Sequence, residues 1–404
     1  MAPGEAGAQA YATPGSAGAG KAVSLYNLRL PLAVPLRVPG AAAVSTADMP
    51  IVESSSLPTF ADLRRQGQTV LTLEEARRQD IRALHIGLLN MMPDAAFQVT
   101  EHQFMRLVGG SNQIAQFYLH CFTVPGLPRS DATQAYIDRN YEDIASIYAE
   151  GLDALIVTGA NVANPRLELE PFYAPLSEVI GWASENVTSV LCSCLSTHAL
   201  MKHLHGIDRT PLPRKQWGVY SHRVVAPGHP LLRGINTRFD VPHSRYNAIT
   251  RQHFEQAGLT ILIESAEAGV HAAVSDDQLR RVYFQGHPEY DANSLLKEYK
   301  REVLRHFHGE RELPPLPEHY IAAAAAAVIE RYLDEAHRAH GSGAALPDFP
   351  EDELTPLLDN TWADSARAMF DNWLGLIYRT TNLDRRLPFM EGIDPHRPLE
   401  GLSD

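Results

Sequence analysis

Ser189-Val190-Leu191-Cys192-Ser193-Cys194-Leu195-Ser196-Thr197-His198 reads as the end of a buried strand turning into a helix. Val190–Cys192 is a short apolar run, and helix-like spacing follows over His198–His205. A strand-to-helix turn exposes the side chain at its apex and aims the free N–H groups of the new helix at whatever sits above it. Cys194 occupies that apex. The positions two residues to either side are Cys192 and Ser196, small but not the glycines of the usual hydrolase elbow.

A thiol attacks an acyl carbon well only as thiolate, so it needs a base, and the base needs an orienting group. Val282-Tyr283-Phe284-Gln285-Gly286-His287-Pro288-Glu289-Tyr290 supplies both, again after an apolar run. Cys194, His287 and Glu289 together suggest acyl transfer through a thioester. His198, four residues after Cys194, is a second candidate base, with packing its more ordinary role. Cys192 reads as a buried strand thiol and Cys121 as core.

Outward from these two stretches, apolar runs alternate with helical spacing. Strands are expected at residues 84–90, 117–124 and 154–158. Helices are expected over 98–107, 136–149 and 175–186. This β-α-β-α order predicts an α/β fold with a doubly wound, mostly parallel sheet. In such sheets the site lies beyond the carboxyl ends of the strands, and Gly159, Cys194 and His287 all fall there. The C-terminal part differs: helices are expected over 317–340, with Gly341 as the stop, and over 362–378. Three segments follow: a Gly/Ala/Pro-rich, disordered extension at 1–48, the main domain at 49–312, and a helical region at 313–404 packing on that domain.

The formal net charge of -13 argues against a nucleic-acid binder. Three cysteines, two of them only two residues apart and too close on a strand for a structural disulfide, fit a reducing compartment. No metal-ligand spacing is present, and no window approaches the roughly 20 apolar residues of a membrane span. Gly15 to Lys21 mimics a phosphate loop but has Ala22 where a hydroxyl should follow. The expectation is a cytoplasmic enzyme without a permanently bound cofactor.

Several longer motifs carry a resemblance. They are Leu89-Asn90-Met91-Met92-Pro93, Thr100-Glu101-His102-Gln103-Phe104, Leu155-Ile156-Val157-Thr158-Gly159-Ala160, Gly218-Val219-Tyr220, Pro242-His243-Ser244-Arg245-Tyr246, Gly286-His287-Pro288-Glu289-Tyr290-Asp291 and Asn372-Trp373-Leu374. With these the chain resembles the homoserine O-succinyltransferase/O-acetyltransferase family of methionine biosynthesis over about residues 49–383. The resemblance implies a class I glutamine-amidotransferase-like (flavodoxin-like) fold and a homodimer. Its reaction transfers the acyl group of an acyl-coenzyme A co-substrate to L-homoserine and releases coenzyme A. It casts Cys194 as nucleophile, His287 as base and Glu289 as its support, and assigns Lys215, Ser244 and Arg301 to substrate binding. Backbone N–H groups at Leu195, Gly159 and Ala160 are the candidates for an oxyanion hole.

The sequence also departs from the family. Lysines usual after the first Met-Pro are replaced by Asp94 and Ala95, and Asn161 stands where proline is usual. At the position that separates succinyl users (Gly) from acetyl users (Glu) the chain has Ala163. Alanine neither fills the space of a succinyl group nor repels its carboxylate, so succinyl-coenzyme A is the favoured donor. Arg166 and Asn164 are the candidates to hold that carboxylate. Acetyl-coenzyme A as donor, L-serine as acceptor, and amidotransferase or thiol-hydrolase chemistry on the same scaffold are the alternatives.

Overall fold

In the computed structural model, residues 51–111 and 115–402 are described; the extension read at 1–48 lies outside them. Among the described residues eleven strands form a single sheet. They are β1 (Ile51–Glu53), β2 (Val70–Thr72), β3 (Ala83–Met91), β4 (Gln116–Phe122), β5 (Ala154–Ala160), β6 (Ser189–Ser193), β7 (Thr210–Val224), β8 (Arg238–Ala248), β9 (Thr260–Ser265), β10 (Gly269–Val274) and β11 (Arg281–Phe284). Their order is β2-β1-β4-β3-β5-β6-β11-β10-β9-β7-β8. From β2 to β11 every pairing is parallel, and the remaining four are antiparallel.

The central strands are apolar without alternation because both faces are covered. Ile156 and Leu191 point into one core with Phe104, Phe370 and Trp373. Leu155, Val157, Val190 and Cys192 point into the other with Val179, Ile180, Ala199 and Leu200. The first face is closed by the Phe97–Gly109 helix and by the late Ala363–Thr380 helix, whose Trp373 donates to Ser189 Oγ at 2.8 Å. Truncating Trp373 or Phe370 to alanine would each cost about 3–5 kcal/mol. The chain runs from β3 to β4 on one side and later to β5 on the other. That reversal opens a crevice at the carboxyl edge of the sheet.

The fold is thus the expected α/β class, with three local corrections. The single helix expected over 136–149 is two, Asp131–Asn140 and Ile144–Glu150. Tyr141 is extended, and the Asp143 side chain caps the second helix by accepting from Ala145 N at 2.8 Å. The helix expected over 317–340 runs from Ala323 to Ser342, with Gly343 rather than Gly341 in the left-handed cap. Its missing first turn is used otherwise: Glu318 pairs with β7, accepting from Val219 N at 2.9 Å and donating to Trp217 O at 2.8 Å. The third correction is the antiparallel block, largely unforeseen. β7 carries Pro211 and Pro213, and its pairing with β8 shifts register between Pro211 and Gln216. A third apolar cluster joins Trp217 and Val219 to Leu296, Tyr299, Val328 and Tyr332, seating the C-terminal helices behind β7.

Candidate active site

Parallel pairing sets the site. Cys192 lies opposite Val157 of β5 and Tyr283 of β11, so the residues just after these strands meet at one edge. Cys194 is the turn between β6 and the Leu195–His205 helix, with φ 55° and ψ -108°. A non-glycine residue held there costs of order 1–3 kcal/mol. The turn is secured by Cys194 N donating to Phe284 O at 2.8 Å. Gly159 sits alongside: a Cβ added to it would stand 3.8 Å from Cys194 Cβ and 3.9 Å from Leu195 N. Cys192 and Cys121, by contrast, are sealed in the core, and burial pushes both thiols well above their ordinary pKa.

His287 Nδ1 lies 2.8 Å from Glu289 Oε1, with both side chains buried. That contact leaves Nε2 for the thiol. Burial alone would depress the imidazole pKa. The Cys194 thiolate and the Glu289 carboxylate outweigh it and hold His287 well above the usual histidine value. The ring also stacks on Tyr290, with centroids 4.3 Å apart.

The turn that aims His287 is fixed by Gln285 and by a group of buried histidines, of which the sequence marked only His243, as a structural hydrogen-bonding residue. Gln285 donates to Ile249 O at 3.0 Å and to Val270 O at 2.7 Å, and accepts from Ile249 N at 2.7 Å. Three buried histidines pack beneath. Arg245 Nε donates to His243 Nδ1 at 3.2 Å, which makes His243 Nε2 the donor toward His222 Nε2 at 3.2 Å. His222 Nδ1 then donates to Tyr220 O at 2.7 Å. His271 Nδ1 accepts from Gly286 N at 3.2 Å. Burial, reinforced by the Arg245 charge, drives all three below the usual histidine pKa, so this support is neutral. Gly286 has no room for a side chain: a Cβ would lie 2.5 Å from Val241 Cγ1 and 2.9 Å from His243 Nε2. Gly286→Ala should therefore cost about 1–3 kcal/mol of stability and displace His287. Thermal unfolding and turnover measured together check this; unchanged values in both would show that the packing yields freely.

The same edge opens into a cleft of about 620 Å³. Cys194, Leu195, Gly159, Ala160, Lys215, Ser244, His287 and Arg301 all line it, with Glu289 behind His287. Lys215 Nζ and Ser244 Oγ converge on Glu298 Oε2 at 3.1 and 2.7 Å, and Tyr290 donates to Glu298 Oε1 at 2.9 Å. Burial favours the protonated acid, but Lys215, Ser244 and Tyr290 outweigh it and keep Glu298 ionised. Glu298 was not singled out in the sequence, although it lies three residues before Arg301 and so on the same helical face. His198 also reaches the cleft, but its Nε2 faces Gln285 Oε1 at 3.3 Å, and burial holds its pKa down to about 3.

The loop after β5 is arranged differently from expectation. Ala163 is exposed, and its N–H and that of Asn164 donate to the buried Glu170 carboxylate at 2.7 and 2.5 Å. The Asn164 amide points to Glu170 too, and Arg166 is exposed and paired with Glu168 at 2.8 Å. The cation beside this loop in the cleft is Arg209, from the segment between the Leu195–His205 helix and β7, whose Nη2 donates to Asn164 O at 2.9 Å. Its Nε is buried and lacks a hydrogen-bond partner among the described residues.

Fold and site define an α/β protein with a thiol, an imidazole and a carboxylate gathered at the carboxyl edge of its sheet. The model of the homoserine O-succinyltransferase family matches residues 50–383, and the chain belongs to that family. It is 59% identical over 356 residues to the homoserine O-succinyltransferase of Methylococcus capsulatus, covering 88% of this chain and 100% of the relative. The homoserine O-succinyltransferase of Thioalkalivibrio nitratireducens is 58% identical, with 87% and 99% covered. Among solved structures, a glutamine amidotransferase from Thermotoga maritima aligns at 12% identity over 73% of this chain and 98% of its own, with a TM-score of 0.41.

Proposed function

We propose that the protein transfers the succinyl group of succinyl-coenzyme A to the hydroxyl of L-homoserine through a thioester on Cys194. The observation that carries this reading is the elbow cysteine facing the His287–Glu289 pair. The Cys194 thiolate attacks the donor carbonyl. The oxyanion is held by N–H groups at Leu195 and at Gly159-Ala160. The carbon–sulfur bond to coenzyme A breaks, and the leaving thiolate takes the His287 proton. The homoserine hydroxyl then attacks the acyl-cysteine while His287 accepts its proton, and the ester leaves with Cys194 restored as thiolate. Glu298, kept ionised, suits the α-ammonium of the acceptor, and Arg301 its carboxylate.

Burial lowers the pKa of His287, and the largest single push upward comes from the Cys194 charge. Acylation removes that charge, so the imidazole loses its proton more easily just when a base is required. Acid should therefore slow the second half-reaction before the first. Below neutrality, rapid mixing with succinyl-coenzyme A and homoserine should give a burst of about one thiol per active site followed by slow turnover. A steady rate with no burst at any acid pH would contradict this order.

For the donor, Arg209 takes the place first considered for Arg166 and Asn164. It lines the cleft, carries a buried unpartnered N–H, and matches a carboxylate in geometry. Arg209→Ala should lower kcat/KM for succinyl-coenzyme A on the order of 10²-fold and change that for acetyl-coenzyme A little. Ala163→Glu should shift preference toward acetyl. The deciding experiment is a matrix of succinyl or acetyl donor against homoserine or serine. A wild-type preference for acetyl-coenzyme A of about tenfold or more would overturn the donor assignment.

A further inference from the structure

Beside the reactive cleft runs a second groove of about 500 Å³, between the Phe97–Gly109 and Ser294–Phe307 helices. The two spaces share Met92, Ala95, Tyr290 and Arg301, so the groove opens directly onto the chemistry. Its two walls differ. One is apolar: Met92, Ala95, Ala96 and Val99, the last 41% exposed. The other is cationic: Lys297, Lys300, Arg301 and Arg305 recur at helical spacing on one face. Such a strip stands out in a chain of net charge -13. Lys297 is exposed, and its side chain makes no ion pair or hydrogen bond among the described residues. Lys300 reaches Glu351 at 2.9 Å, and Arg305 reaches Glu310 at 2.8 Å. Asp94 stands at one of the two positions where the family usually carries lysine. It is turned onto its own surroundings, accepting from Ser130 N at 2.7 Å beside Arg129.

We propose that this groove binds the coenzyme A end of the acyl donor, a role that rests on the acyl-transfer reading above. The thin pantetheine arm lies along the Ala95–Val99 wall with its thioester at Cys194. The phosphates of the nucleotide meet Lys297 and Lys300.

The test compares wild type with Lys297→Glu, Lys297→Gln and Lys297→Glu/Lys300→Glu. Two donors are used: succinyl-coenzyme A, and the succinyl thioester of N-acetylcysteamine, which keeps the reacting end but lacks the nucleotide. The double charge reversal should raise KM for succinyl-coenzyme A about tenfold, with Lys297→Gln in between. Turnover of the short thioester and KM for homoserine should change less than about twofold. Equal losses with both donors, or an unchanged KM for succinyl-coenzyme A, would overturn the proposal. Calorimetry with free coenzyme A separates it from the reaction it rests on. If charge reversal weakens binding although no acyl group reaches homoserine, the groove stands and the activity fails. If transfer proceeds and binding ignores the reversal, the groove alone falls.

Discussion

Cys194→Ala should fold normally and transfer no acyl group, a loss on the order of 10⁴-fold or more in turnover. No other thiol can substitute. Cys192 points into the core beneath the elbow and Cys121 is sealed in the sheet, both with pKa values pushed up by burial. Cys192→Ala should retain substantial turnover and lose stability of order 1 kcal/mol, as expected for a small buried side chain. Removing Cys194 should relieve the strain at φ 55° only if glycine replaces it, so Cys194→Gly should melt higher than Cys194→Ala. Intact-protein mass after incubation with succinyl-coenzyme A alone gives the direct reading. An added succinyl mass on Cys194→Ala, or a wild-type adduct that peptide mapping places on Cys192, would displace the assigned nucleophile.

The second large effect belongs to His287. His287→Asn should lower overall transfer on the order of 10³-fold, because no other imidazole in the cleft is placed to serve. His198 is bonded to Gln285 and its pKa is held near 3, too low for it to accept a proton usefully. Glu289→Gln should cost less, about 10²-fold, since Glu289 orients the ring and balances its charge rather than carrying the proton. The single-turnover rate of each half-reaction apportions the loss. Near-normal transfer by His287→Asn would remove the imidazole from the mechanism altogether.

Much of this was legible in the chain. The reactive groups sit in short segments directly after apolar runs, and parallel pairing places such segments side by side whatever their separation in sequence. That is why Cys194 and His287, 93 residues apart, could be matched beforehand. Groups that depend on antiparallel pairing were harder to find. His243, in the Pro242–Tyr246 motif, was legible as a structural hydrogen-bonding residue, but Glu298, Arg209, His222 and His271 owe their roles to how β7, β8 and β10 lie across the sheet end, and nothing local marks them. Arg166 looked suited to a carboxylate by composition, but a single neighbour, Glu168, occupies it. The split of one expected helix at Asp143 and the late start of another at Ala323 have local causes, a side-chain cap and a backbone bridge.

That bridge has a consequence for synthesis. Gly218 has φ 155°, and a Cβ there would lie 2.1 Å from Glu318 O, so residue 318 is pressed against the strand that carries Lys215. The proposed nucleophile and base are both translated by residue 287, yet the backing of the proposed acceptor wall arrives only with residue 318 and the helices after it. Under the proposed roles, a nascent chain therefore carries Cys194 and His287 before the segment that backs the proposed acceptor wall has been made. Glu318 thus ties the completion of that wall to a part of the chain made after both halves of the proposed thiol–imidazole pair.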